Sequence, residues 1–425
     1  MQAIVLAAGK GTRMRSDRPK VLHEILGRPM LAYVLEVLSQ LGIKRPVVVI
    51  GSGADEVRKW GRFYFSGKKN RTVPIFLLQR RQRGTGHAVM TAEKFLRGSK
   101  EDILIWPADM PLLKEKTLRE FIVSHRRSGN EVSVLSSLFI NPAGYGRILR
   151  AGGRFYGIRE ELDASGIERR IQEVHTGVYF FKARALLGAL GKIRPENSKK
   201  EFYLTDTIEI LSRGNRRMEA FPLADSSEAQ GINSRADLAE AVRKMKNREI
   251  QKHQDGGVTF AAPDQTFVAP GVRIGRDTVI YPWCYIESGV TIGRRCEIGP
   301  FAKIRKGTVI ADGAVIGSFV EVARSRIGKK VLAKHLAYIG DSVIGDETNV
   351  GAGTITANFD GKRKNKTRIG KKVLVGSNTV FVAPVTVGDR ARTGAGSVVT
   401  RGTKIKKGEV VAGVPARPLK KTLKS

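Results

Sequence analysis

The chain holds 425 residues, 41% hydrophobic and 27% charged, enough apolar material for two or three domains with cores of their own. No apolar run reaches the ~20 residues of a membrane span, the opening MQAIVLAAGKGTR does not read as a secretory signal, and only Cys284 and Cys296 are available, which excludes a disulfide framework and leads us to expect a reducing, cytoplasmic setting. The charge of +35, from 75 Lys+Arg against 40 Asp+Glu, is spread as +15 over residues 1–240 and +20 over 241–425, so it points to attraction of anions, phosphorylated small molecules included, and to no specific nucleic acid.

Residues 1 to about 235 read as α/β. AIVLAA (Ala3–Ala8), PVVVIG (Pro46–Gly51), PIFLLQ (Pro74–Gln79) and DILIWP (Asp102–Pro107) have the length of buried strands. Met30, Tyr33, Val34, Val37 and Leu38 stand at helical spacing between the first two. Strands alternating with helices predict a mostly parallel sheet covered on both faces, with functional loops at the carboxyl ends of its strands.

From Ser234 to about His253 the pattern turns helical. Ser234 and Asp237 make a capping box, and Leu238, Val242, Met245 and Ile250 share a face. The domain plan expected is therefore 1–235, a linker helix over 236–257, and a second domain over 258–425.

That second domain is a repeat. Val268, Ile274, Ile280, Ile286, Ile292, Ile298, Ile304, Ile310, Ile316 and Val322 stand six residues apart without a miss. Ile369, Val375, Phe381, Val387, Val399, Ile405 and Val411 repeat the register, with Thr393 alone out of character. Short straight segments that each donate one inward aliphatic residue give this period, so a parallel β-helix is predicted. The register breaks between Val322 and Tyr338, after which Tyr338, Ile344 and Val350 are read as resuming it. It breaks again at Ala357–Arg368, where the densest basic cluster, Lys362 to Lys366, lies. Insertions must leave a solenoid as loops, which places His335 in the first loop and that cluster in the second.

Two patterns carry chemistry. The first predicted strand runs into Gly9-Lys10-Gly11-Thr12-Arg13, followed by Lys20. Glycines let a backbone approach phosphate closely, and the cations neutralise it. LAAGKGTRM (Leu6–Met14) with DRPKVL (Asp17–Leu22) is a sugar-nucleotide pyrophosphorylase signature. GTGHAV (Gly84–Val89), NPAGYGRI (Asn141–Ile148), EFYLTD (Glu201–Asp206), GSFVEV (Gly317–Val322), AKHLAYIGD (Ala333–Asp341) and NVGAGTITANFDG (Asn349–Gly361) follow in order. Nearly end to end, the chain resembles the bacterial bifunctional N-acetylglucosamine-1-phosphate uridyltransferase/glucosamine-1-phosphate acetyltransferases.

The resemblance implies a Rossmann-like nucleotidyltransferase domain followed by a left-handed parallel β-helix, the hexapeptide-repeat domain, in a homotrimer. It implies UTP, N-acetylglucosamine 1-phosphate, glucosamine 1-phosphate and acetyl-CoA as substrates, with Mg²⁺ as cofactor. By it the nucleotide falls on Leu6, Ala7, Ala8, Gly9, Arg13, Lys20, Gln79, Gly84 and Thr85, the metal on Asp109 and Asn233, and the sugar of uridylyl transfer on Gly146, Glu160 and His175. For acetyl transfer it implies His335 as catalytic base. Arg305, Tyr338, Asn349 and Lys364 would then hold the sugar phosphate, and Ala352, Asn358, Phe359, Ser377 and Ala395 the acetyl-CoA.

Three positions and one segment depart from the family pattern. His175 stands where an asparagine is usual, Phe359 where a tyrosine is, and Ala323 where a phosphate-binding lysine is expected, with Arg324 adjacent as a substitute. The segment AGVPARPLKK (Ala412–Lys421) resembles other hexapeptide acetyltransferases. Two alternatives stay open at this level: a monofunctional sugar-1-phosphate nucleotidyltransferase whose β-helix trimerises or uses another acyl acceptor, and a basic nucleic-acid-binding or scaffold protein.

Overall fold

The four apolar runs of the first half form neighbouring parallel strands, in the order Asp102–Pro107, Gln2–Ala7, Val47–Ile50 and Ile75–Leu78. Side chains alternate between the two faces of the sheet. Ile4, Val49 and Ile105 enter one core cluster, while Val5, Val48 and Leu104 enter the other. Burial on both faces is why these segments read as unbroken apolar runs rather than alternating ones. The antiparallel strand Glu173–Lys182 joins Asp102–Pro107 to Val132–Leu138, and Met218–Pro222 closes that edge. The helix Met30–Gln40 buries Met30, Tyr33, Val34 and Leu38, as its spacing predicts.

This computed structural model describes residues 1–66, 73–98 and 101–419, so Lys420 and Lys421 of the C-terminal segment lie outside the described residues. The chain divides into two units, Met1–Val242 and Arg243–Ser425, and the division falls within the helix Arg235–Asp255. The capping box is present: Asp237 Oδ2 accepts from the N–H groups of Asn233 and Ser234, and Asp237 N donates to Ser234 Oγ. Among the described residues no helix is long and apolar enough to cross a membrane.

In the second unit each coil gives one short strand to each of three sheets, and strands within a sheet pair in parallel from Thr259 to Val411. Inward residues stack rung on rung, as in Val268, Ile286, Ile304, Val322 and Ile339. All five are fully buried. Thr393 is inward too. Its hydroxyl meets Thr379 Oγ1 (3.0 Å) and accepts from Gly376 N (3.0 Å), so the polar rung is satisfied from within.

Two expectations are corrected here. Ile339, not Tyr338, continues the inward ladder, because the chain takes two five-residue steps, Val322 to Ile327 and Ile339 to Ile344. The first break is thus a shortening of the coil rather than an inserted loop. His335 accordingly ends the strand Leu332–His335 and is exposed. The second break is an insertion as predicted, lying between the strands Ile355–Ala357 and Thr367–Ile369.

Candidate functional site

In the first unit the strands Gln2–Ala7 and Asp102–Pro107 lie side by side and deliver Gly9–Arg13 and Asp109 to the same edge of the sheet. Ala108 N donates to Leu6 O (2.9 Å) and Ile232 N to Asp109 O (2.9 Å), which brings Asn233 alongside. Lys20 Nζ donates to Asp109 Oδ2 and to Asn233 Oδ1 (2.7 Å). Gly11 makes room for that lysine. At φ 62° it occupies the left-handed region, and a Cβ there would sit 2.7 Å from Lys20 Cβ.

The opposite wall is equally cross-linked. Gln79 is buried, and its Nε2 donates to Gly84 O (3.2 Å) and lies 2.9 Å from His87 Nδ1. Thr85 Oγ1 accepts from Leu204 N (3.0 Å), and Gly86 N and Arg83 O both bond the backbone of Phe202. The GTGHAV and EFYLTD motifs are thereby one surface. The resulting cleft of about 570 Å³ is lined by Leu6, Ala8, Gly9, Arg13, Lys20, Gln79, Gly84, Thr85, Asp109 and Asn233. Ala7 is buried beneath it. Gln82, Lys199 and Glu201, which the motifs do not single out, also line the cleft; the charged run ahead of FYLTD is the sequence signal for the last two.

Gly146, Glu160 and His175 form a separate group. His175 N donates to Gly146 O (2.7 Å), and a Cβ on Gly146 would lie 3.6 Å from Glu160 Oε2. Glu160 lines a second cavity of about 310 Å³, with Tyr203, Thr205 and Asp206. It accepts from Thr205 Oγ1 (3.1 Å), and burial raises its carboxyl above the usual range. His175 lines neither cavity. Burial lowers its imidazole to about 3, so the ring is neutral, and Nε2 accepts from Gly177 N (3.2 Å). Arg147, fully buried, pairs with Glu161 (2.8 Å), which also accepts from Gly144 N (3.1 Å). Together they pin the loop that carries Gly146.

In the second unit, stacking collapses distant positions into columns. His335 pairs with Ser318 at one corner of the coil. Leu336 N donates to Ser318 O, Asn378 N to Ala352 O and Gly396 N to Ser377 O, so His335, Ala352, Ser377 and Ala395 stand at this corner in successive coils. At the next corner Arg305 is flanked by Glu321 (3.0 Å) and Glu287 (3.8 Å). Ala323 pairs with Gly340 in the coil below and is fully buried. Tyr338 faces outward beside Glu321 in the neighbouring strand, and Asn349 pairs with Leu332.

The inserted loop is an ordered hairpin. Phe359 bridges to Lys364, Asn365 N donates to Asn358 O (2.6 Å), and Asp360 accepts from the N–H groups of Lys362 (3.0 Å) and Arg363 (2.8 Å). Lys364 stands close enough to Asp341 to help lower its carboxyl. Arg324, weighed as a substitute for the missing lysine, is already engaged: Nε and Nη2 each lie 2.7 Å from an oxygen of Asp341.

Comparison with known proteins bears on both units. Residues 3–177 match the MobA-like NTP transferase domain, and residues 271–306, 289–324 and 366–401 match the bacterial transferase hexapeptide of six repeats. The bifunctional protein GlmU of Acetivibrio thermocellus is 38% identical over 434 aligned positions, covering 94% of this chain and 92% of that protein. That of Syntrophotalea carbinolica is 40% identical over 435 positions, with the same coverage. That of Heliobacterium modesticaldum is 40% identical, covering 94% of this chain and 93% of that protein. A crystal structure of UDP-glucose pyrophosphorylase complexed with UDP-glucose aligns with 59% of this chain and 98% of that one, at 17% identity and a TM-score of 0.47, too distant to inform the sites.

Proposed function

The chain belongs to the family of the bifunctional protein GlmU, and from that premise we propose how its residues divide the work. It is a bifunctional transferase, with a Rossmann-like nucleotidyltransferase domain and a left-handed hexapeptide β-helix. It transfers acetyl from acetyl-CoA to glucosamine 1-phosphate and uridylyl from UTP to N-acetylglucosamine 1-phosphate. The product, UDP-N-acetylglucosamine, is a precursor for cell-wall synthesis. We assign residues 1–235 to uridylyl transfer and 258–425 to acetyl transfer, with 236–257 as the connection.

The observation that carries the uridylyl assignment is the convergence of Lys20, Asp109 and Asn233 beside the glycine loop. A phosphate oxygen of the sugar phosphate attacks the α-phosphorus of UTP, the bond to the β-phosphate breaks, and pyrophosphate leaves. No protein nucleophile is needed, so the site acts by positioning and by neutralising charge. The backbone of Gly9–Arg13 cradles phosphates, with Arg13 and Lys20 supplying charge. Gln79, whose Nε2 is committed to Gly84 and His87, keeps its carbonyl to accept the imide N–H of uracil. Leu6, Ala7, Ala8, Gly84 and Thr85 complete the nucleotide contacts, and Gly146 and Glu160 receive the sugar, with the buried His175 supporting Gly146 through its backbone.

The residues also fit Mg²⁺. Asp109 Oδ2 and Asn233 Oδ1 already converge on one cationic group, the Lys20 ammonium. One carboxylate and one amide oxygen, with phosphates completing the shell, make a set that Mg²⁺ accepts. When bound, the ion neutralises phosphate charge.

For acetyl transfer His335, exposed at the end of its strand, takes the proton from the 2-amino nitrogen of glucosamine 1-phosphate. That nitrogen attacks the thioester carbonyl, and the carbon–sulfur bond breaks to release coenzyme A. Arg305, Tyr338, Asn349 and Lys364 hold the sugar phosphate. Ala352, Asn358, Phe359, Ser377 and Ala395 hold acetyl-CoA; the stacking of three of these five, Ala352, Ser377 and Ala395, at one corner with His335 supports this. We further propose a homotrimer working in the cytoplasm, where UTP and acetyl-CoA are made.

The two reactions separate by mutation. Asp109→Ala abolishes uridylyl transfer and spares acetyl transfer. His335→Ala lowers acetyl transfer by roughly 10²–10⁴-fold, the usual contribution of a positioned base, and spares uridylyl transfer. Separate assays of the two half-reactions check this. Near-normal activity of either variant in its own reaction refutes that assignment.

A further inference from the structure

The two five-residue steps put Arg324, Asp341 and Asn358 at the same corner of three successive coils, seventeen residues apart each time. Asp341 N donates to Ala323 O (2.9 Å), which holds the corners in stack. Arg324 and Asp341 both take left-handed backbone conformations, φ 51° and 49°, as residues at other corners of the solenoid do, Asp277, Phe301 and Leu336 among them. Their side chains then meet across the rungs. The guanidinium grips both Asp341 oxygens through Nε and Nη2, and Asp341 Oδ2 also accepts from Asn358 Nδ2. Asn358 is 6% exposed, so its end of that contact is shielded from water.

We infer that Arg324 is a positioning residue of the acetyl-transfer site, orienting Asn358 through Asp341, and is not a ligand of the sugar phosphate. The inference rests on the reading of Asn358 as an acetyl-CoA contact. A forked guanidinium–carboxylate pair fixes direction as well as distance, because both bonds lie in one plane. With the carboxylate held, the amide of Asn358 has one orientation in which Nδ2 points to Asp341, and Oδ1 is its remaining polar end. The Tyr338 side chain lies near enough to the guanidinium to help raise it, after Asp341, so Arg324 stands between a residue assigned to acetyl-CoA and one assigned to the sugar phosphate. Having two of its donors spent on Asp341, Arg324 leaves the phosphate charge to Arg305 and Lys364.

The test varies both substrates in the acetyl-transfer assay for Arg324→Ala, Arg324→Lys, Asp341→Ala and the double alanine variant of the full chain. Arg324→Gln replaces the alanine variant if thermal melting shows that it has unfolded. The expected result is a KM for acetyl-CoA raised roughly tenfold in Arg324→Ala, with the KM for glucosamine 1-phosphate changed less than about twofold. Lysine does not rescue, since an ammonium cannot make the fork. The double variant is no worse than Asp341→Ala alone, because the two residues act in series. A rise confined to the KM for glucosamine 1-phosphate, unchanged KM values, rescue by lysine, or effects of Arg324 and Asp341 that multiply would each overturn the inference. His335→Ala in the same assay keeps the two levels apart: acetyl transfer undiminished in that variant refutes the reading of the site, not the role of Arg324 alone.

Discussion

Gly9 and Gly11 sit two residues apart in one loop, and the structure gives them different reasons to be glycine. At Gly11 the backbone is left-handed, and an added Cβ would lie 2.7 Å from Lys20 Cβ and 3.4 Å from its Cγ and Cδ. Carbon atoms rest at about 3.5–4.0 Å, so Gly11→Ala forces a displacement of about 1 Å. The left-handed backbone adds about 1 kcal/mol for alanine. The atom struck is the root of Lys20, not its flexible tip, so the lysine cannot turn aside while Nζ stays on Asp109 and Asn233. A misplacement of this size at a positioning residue costs about 10²-fold in rate, or about 2.7 kcal/mol of transition-state stabilisation. At Gly9, by contrast, nothing lies within 4 Å of an added Cβ. Gly9→Ala should therefore leave Tm unchanged and weaken UTP binding, because the methyl meets only the phosphates that the loop cradles. Calorimetric melting and pyrophosphate release at varied UTP measure both effects. Wild-type uridylyl kinetics in Gly11→Ala, or a lowered Tm with normal UTP KM in Gly9→Ala, would refute the reasoning.

Asp206 carries a pH signature. Burial, with Glu209 and Glu160 nearby, raises its carboxyl from 3.8 to about 6. The folded chain then binds this proton more tightly than the unfolded one, so its contribution is intact below about pH 4 and is lost as pH rises through 6. Asp206→Asn should leave stability at pH 4 unchanged and raise it at pH 7 by up to about 3 kcal/mol; denaturation at both values checks the sign, and a variant weaker at pH 7 contradicts it. In the solenoid, Ile304→Ala removes a fully buried rung and should cost ~2–5 kcal/mol. Thr393→Val should stay within ~1 kcal/mol, since Gly376 N keeps Thr393 O and Thr379 Oγ1 keeps Gly376 O; urea titration distinguishes the two. Light scattering should return three times the mass of one chain, and a monomer with full acetyl transfer would defeat the trimer.

Much of this was legible in the residues themselves. Two-face burial makes an unbroken apolar run, so the strands around Ile4, Val48, Leu77 and Ile105 could be read directly. A coil that places one inward side chain every six residues writes that period into the sequence, and Val268 through Val322 follow it because each must fill the same interior. The Ser234–Asp237 cap is likewise local, made by residues within one turn. Periodicity failed where the coil shortened. A five-residue step moves every later residue around the coil by one position, so Ile339 points inward and Tyr338 out. Which coil drops a residue is decided by how its corner stacks on the next, and that is a contact between residues seventeen apart. The same holds for the meeting of Lys20 with Asp109 and Asn233, and for the engagement of Arg324 by Asp341. Adjacent residues in sequence constrain φ and ψ, but the direction in which a charged side chain finds its partner is set by whatever the folded chain brings across from it, and only the tertiary structure supplies that neighbour.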